Sequence, residues 1–173
     1  MNYQKRTTIK AGFSLIELLV AMGMVGIGLI GVASLAAQNI RVQYFNRNSL
    51  ISSQLAQEGL ELARNLRDND WKSSSPTSSL DELYDYQFII DYEGHYSPAG
   101  IEVSSTEPLR INDDGFYSYV GDTITPFRRL LTSECYPDEA VQSDYCLIKC
   151  YVSWQGQGQS GVYQAEDYIY AWY

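Results

Sequence analysis

Four groups of side chains in this sequence have types and spacings suited to chemistry. Glu17 is the one charge between Phe13 and Ala37. A carboxylate in a stretch fit for hydrocarbon costs roughly 2.5–3.5 kcal/mol on insertion scales. One explanation is a position close enough to the helix start to reach the interface. The other is a partner cation. A cut after Gly12 would create one, because the new amine at Phe13 would lie one turn before Glu17, in the same or a neighbouring chain. The second group is Cys135, Cys146 and Cys150. Three cysteines and one distant histidine fit no zinc pattern, which leaves a disulfide. The third group is the carboxylates Asp113, Asp114 and Asp122, and Asp138, Glu139 and Asp144. Loop carboxylates ligate calcium, but the spacing fits no calcium loop, and Asp-Asp-Gly is ordinary turn chemistry. The fourth is His95, the single histidine, in a Glu-Gly-His-Tyr-Ser-Pro segment that reads as an exposed loop. No Gly-x-Ser-x-Gly elbow accompanies it. The expectation is neither an enzyme nor a metal or cofactor protein.

The elements that hold these residues divide the chain sharply. Residues 1–12 contain Lys5, Arg6 and Lys10 and no acid, and residues 13–37 are apolar except for Glu17. About 20 apolar residues span a bilayer as a helix, and the basic flank stays in the cytoplasm. A cleaved secretory signal is the competing reading, but its apolar region is usually only 7–15 residues. Here the apolar run is longer, and past Glu17 no charge stops it before Arg41. The reading is a single-pass protein of the cytoplasmic (inner) membrane with its C-terminal part outside.

The segment Gly12-Phe13-Ser14-Leu15-Ile16-Glu17, after a short basic leader and before a long apolar helix, resembles the processing motif of type IV pilins and pseudopilins. The resemblance implies a prepilin peptidase that cuts between Gly12 and Phe13 and methylates the Phe13 amine, leaving 161 residues. It implies that Glu17 helps the subunit dock beside its neighbour in a fibre. It also implies, as partners, other pilin subunits through the N-terminal helix and the inner-membrane assembly machinery, with the extracellular pilus fibre as destination. Many pilins carry a proline near position 34, where this chain has Ser34. Gly23, Gly26, Gly28 and Gly31 are read either as helix weak points, each worth roughly 1 kcal/mol against Ala, or as close-packing sites between membrane helices. The block 54–68 resembles the second helix half of PilV-like minor pilins and minor pseudopilins. A weaker likeness covers Thr125 to Arg129, the strand ending in Trp154, and Asp167-Tyr168 to Trp172.

Past the apolar run, residues 38–70 contain no proline and one glycine, Gly59. Tyr44, Ile51, Leu55, Gly59, Leu62 and Leu66 form one stripe of an amphipathic helix, and Arg64 and Asp68 are spaced to pair across one turn. The helix is expected to end near Trp71, before the polar loop 72–79. The period then changes to two. Strands are expected over 86–92, 109–111, 116–120, 127–132, 146–154 and 162–173, with turns at 112–115 and 156–161. The fold class is α+β: a long N-terminal helix packed on a largely antiparallel sheet. The parts are a leader (1–12), a membrane or fibre-core helix (13–37), its amphipathic continuation (38–72) and an exported head (73–173).

Cys146 and Cys150 share one face of one strand, with Cα atoms ~13 Å apart against a ~7 Å limit for a bridge. The partner of either must therefore be Cys135. The preferred pair is Cys135–Cys146, across the base of a hairpin, which leaves Cys150 a buried thiol. Cys135–Cys150 and no bridge are the other options. Charge adds an exclusion. The whole chain has 12 basic and 21 acidic side chains, net −9, and residues 73–173 hold four basic and sixteen acidic ones. A head so acidic repels phosphate, so no direct nucleic-acid binding is expected. Thirteen tyrosines in the head are strand formers, with an adhesive surface the alternative use. Three functions follow: a minor pilin of a type IV pilus, which is preferred, a minor pseudopilin of a type II secretion system, or a membrane-anchored extracellular binding ectodomain. The last has no need of Glu17 or of the Gly12-Phe13 junction.

Overall fold

The chain has no proline before Pro76, and the run that precedes it forms a single helix, α1 (Leu15–Lys72), of 58 residues. The computed structural model describes residues 12, 14–72, 87–94, 96–98, 103, 106–136 and 145–170. Residues 1–44 and 45–173 form two units. The first holds the N-terminal part of α1. The second holds the rest of α1 and a seven-stranded antiparallel sheet. The strands are β1 (Gln87–Ile90), β2 (Tyr96–Pro98), β3 (Pro108–Ile111), β4 (Tyr117–Ser118), β5 (Thr123–Tyr136), β6 (Tyr145–Gly156) and β7 (Gln159–Tyr170).

The α+β class is the expected one. The central strand is β5, longer than the 127–132 segment read from the sequence. Along one side it pairs with β6, from Phe127↔Trp154 to Tyr136↔Tyr145. Pro126, which lacks an N–H, lies just before the first of these pairs. Along its other side β5 pairs with β3 near its start and with β1 near its end. β2 and β4 are short outer strands on β1 and β3. The 112–115 hairpin joins β3 to β4 as expected. The strand expected over 86–92 is shorter: Asp91 and Tyr92 belong to the turn after β1, and Tyr86 lies outside the described residues. The turn expected over 156–161 narrows to Gln157-Gly158, with φ of 50° and 71°, the two positive values a type I′ hairpin requires. Ser160 and Gly161 belong to β7 instead.

That two-residue turn sets the parity of three strands. Its closing pair Gly156↔Gln159 exchanges both backbone bonds, and the register runs without a shift to Tyr145↔Tyr170. Odd-numbered β7 residues therefore bond to β6, and even-numbered ones turn their N–H and C=O groups away from it. In β6 the even-numbered residues bond to β7 and the odd-numbered ones to β5. Cys135↔Cys146 is thus a non-hydrogen-bonded pair between β5 and β6, the kind that brings side chains closest. The two form a disulfide and Cys150 is free and buried, as the preferred pairing required. Replacing both Cys135 and Cys146 by serine is expected to lower stability by about 3 kcal/mol, the loop-closure entropy of an eleven-residue separation. Thermal unfolding of the two proteins side by side measures this. An unchanged midpoint would mean that the unfolded chain is already constrained there.

The core lies between α1 and the sheet. On β6, Cys146, Ile148, Cys150, Val152 and Trp154 are all buried, which is the alternation read from the sequence. On α1 the buried residues are Asn48, Ser52, Leu55, Ala56, Gly59, Leu60 and Ala63. This face is rotated from the expected stripe, since Ile51, Leu62 and Leu66 are only partly buried. The reason is proximity. A Cβ on Gly59 would stand 2.7 Å from Cys150 Sγ and 3.2 Å from Arg129 Cδ, so the helix lies too close to the sheet for large side chains at its centre. The expected Arg64–Asp68 pair does not form. Arg64 donates to Asp167 of β7 at 2.9 Å and also bonds Glu61, while Asp68 accepts from Arg67. A cross-element carboxylate held by the sheet outcompetes a flexible neighbour on the same helix.

Candidate functional site

Ser14 stands at the N-cap of α1. Its carbonyl accepts the N–H of Glu17 at 3.1 Å and of Leu18 at 3.2 Å. The spacing Ser14-Leu15-Ile16-Glu17 is that of a capping box, a local signal the sequence reading passed over. It gives Glu17 a second role, because a carboxylate in the first turn stabilises the positive end of the helix dipole. Gly12 and Glu17 are both exposed. Phe13, the other half of the expected cut site, lies outside the described residues.

Beyond Glu17 the helix surface is apolar and uncovered. Leu15, Ile27 and Ile30 are 79%, 74% and 73% exposed, and the flanking leucines, valines and methionines behave alike. This is the one helix among the described residues that is long and apolar enough to cross a membrane. A helix apolar all round must be surrounded by lipid or by other helices. Gly23, Gly26, Gly28 and Gly31 do not interrupt it, so the weakness read from them is not expressed as a break. Nothing lies within 4 Å of a Cβ placed on any of the four.

The head carries a buried polar cluster that the sequence did not announce. Arg129 is fully buried on β5. Its Nη1 donates to the Leu55 carbonyl at 3.2 Å and to Glu58 at 3.1 Å, and its Nη2 donates to the Ile90 carbonyl. Burial pulls its pKa down, but Tyr119 and Glu58 more than offset this and hold it above the ordinary guanidinium value. Asp91, 1% exposed, accepts from the Tyr119 N–H at 3.0 Å and the Ser118 hydroxyl at 3.2 Å. Burial pushes Tyr119 up to about 12 and Cys150 up to about 12, with Arg129 acting against both shifts. A thiol so placed stays protonated and is a poor nucleophile. The cluster ties the loops after β1 and β4 to the helix and is structural.

The remaining candidates do not converge. Asp113, Asp114 and Asp122 are exposed around the β3–β4 hairpin. Among the described residues no group of three His, Cys, Asp or Glu side chains could hold a metal ion. His95, Asp138, Glu139 and Asp144 lie outside the described residues.

Comparison with known proteins adds one finding. Residues 8–33 match the family model described as the prokaryotic N-terminal methylation motif. The match spans Lys10, Gly12, Phe13, Glu17 and the first glycines of α1, so this segment carries the type IV prepilin signature. No curated protein and no solved structure matches the chain.

Proposed function

We propose that the chain is a minor pilin of a type IV pilus, a structural subunit rather than an enzyme. A prepilin peptidase cuts it between Gly12 and Phe13 and methylates the new amine. The subunit then waits in the inner membrane with its head outside and enters the fibre through α1. The observation that carries this reading is the methylation motif lying on the start of an uncovered apolar helix, with Glu17 in its first turn. A lipid anchor alone needs apolar side chains only. A cut site and a costly carboxylate four residues beyond it serve processing and docking. The exposed Gly12 suits a peptidase that reads the residue before the cut by its lack of a side chain.

Mass spectrometry of purified fibres tests the proposal. The expected result is this chain in the fibre with an N-terminal peptide beginning at methylated Phe13. An intact Met1 in assembled protein, or absence of the chain from fibres, would overturn it. Replacing Gly12 by leucine is expected to leave nearly all of the protein as uncut precursor in the membrane fraction.

A further inference from the structure

Among the described residues the sheet has one long unpaired edge. Among the described residues β7 pairs with β6 alone, over twelve residues. The hairpin parity aims the N–H and C=O groups of Ser160, Val162, Gln164, Glu166 and Tyr168 away from β6. The next outward carbonyl, on Tyr170, accepts Arg67 Nη1 at 3.1 Å, which confirms the direction. Natural edges are blunted by proline, lysine, bulges or short length. β7 has no proline, lysine or arginine and no register shift. The outer strands on the other side are blunted by length, since β2 has three residues and β4 two.

We propose that β7 receives an extended strand from a different chain of the same fibre, a strand that carries lysine or arginine. This rests on the pilin reading above. Strand addition at an exposed edge is a general mode of recognition, with main-chain bonds giving affinity and alternate side chains giving selectivity. A second copy is the wrong occupant for two reasons. Head-to-tail extension requires two long edges, and among the described residues this sheet has one. Self-pairing of two β7 strands at full overlap sets the two Glu166 side chains diagonal to each other, within ~7–8 Å. It also joins two heads that each hold sixteen acidic and four basic residues. The added strand would border a groove of about 520 Å³ between Gln54, Gln57 and Glu61 of α1 and Glu166 and Asp167 of β7. Arg64 already binds Glu61 and Asp167, and Glu166 stands opposite Lys149 on the other face of the sheet, so the overall acidity of the head sets the demand for a cation.

Amide hydrogen exchange on the full chain tests this, comparing detergent-solubilised protein with purified fibres. The expected result is exchange at Val162, Gln164 and Glu166 at least tenfold slower in the fibre. The variant Gln164→Pro removes an outward N–H and no bond to β6. It is expected to fold, be processed and lose most of its incorporation, as is Val162→Lys, which places a charge on the edge. Equal exchange in both samples, with the chain present in the fibre, would overturn the strand addition and leave the pilin reading intact. Concentration-dependent protection in detergent would overturn the choice of a different chain in favour of a second copy. Absence of the chain from fibres would overturn both readings.

Discussion

Leucine at position 59 is expected to cost the head more than about 4 kcal/mol, at the top of the range for single substitutions. Gly59 lies where α1 comes closest to the sheet, and its missing side chain is what permits the approach. Even alanine would put a carbon 2.7 Å from Cys150 Sγ and 3.2 Å from Arg129 Cδ. Neither neighbour moves freely, since Cys150 is fully buried and Arg129 is fixed by three acceptors. Overpacking of this kind costs about 1–3 kcal/mol for a small addition. Alanine recovers ~1 kcal/mol in helix propensity, so Gly59→Ala should lose up to about 2 kcal/mol net. The pair Gly59→Ala with Cys150→Ala isolates the cause. Removing the sulfur vacates the tightest contact, and the alanine at 59 should then be close to neutral. Thermal unfolding of the four proteins in a double-mutant cycle measures it. Additive losses would place the strain elsewhere.

Glu17→Val should insert into the membrane at least as well as the wild type, because a costly charge is gone. It should nevertheless appear in fibres at least tenfold less. The proposed partner is the Phe13 amine of a neighbouring subunit. At 4 Å and an effective dielectric near 20 such a pair is worth about 4 kcal/mol, or about a thousandfold in the docking equilibrium. Glu17→Gln separates the contributions, since it keeps a hydrogen-bond acceptor and loses the charge. Membrane fractionation and quantification of the subunit in sheared fibres measure both steps. Normal assembly of Glu17→Val would reduce the carboxylate to its capping role at the start of α1.

What was legible in the sequence was what periodicity and exclusion encode. The long helix followed from an uninterrupted run without proline. β6 followed from Cys146 to Trp154 alternating at period two. Spacing on that strand excluded a Cys146–Cys150 bridge and left Cys135–Cys146 as the preferred pairing among three options, which is the one that forms. On α1 apolar size does not mark the buried face. Ile51, Leu62 and Leu66 flank the contact, while Asn48, Ser52, Ala56, Gly59 and Ala63 make its close centre. Arg129 and Asp91 were illegible for a related reason. Charges read as surface, and only the tertiary structure supplies the carbonyls, amide and Glu58 that bond to the Arg129 Nη atoms and the Asp91 carboxylate inside. At the N-terminal site the residue types themselves were the signal, and the family match over residues 8–33 covers the segment that holds Gly12, Phe13 and Glu17.

The position of β5 in the sheet also governs the order in which the head can fold. β1 and β3 precede it in the chain, β6 follows it, and each needs it as a partner. Until residues 123–136 have been made and delivered, only the β1–β2 and β3–β4 hairpins can pair, and isolated hairpins are marginal in water. The inner face of α1 waits longer, because its partners at Leu131, Cys150 and Val152 lie some seventy to a hundred residues downstream. Such non-local pairing folds in milliseconds to seconds rather than microseconds. During that interval Leu55, Ala56 and Leu60 are bare apolar surface on a nascent chain, a state open to aggregation or to capture by a holding factor. The head therefore closes late, once β5 and β6 have zipped and Cys146 meets Cys135.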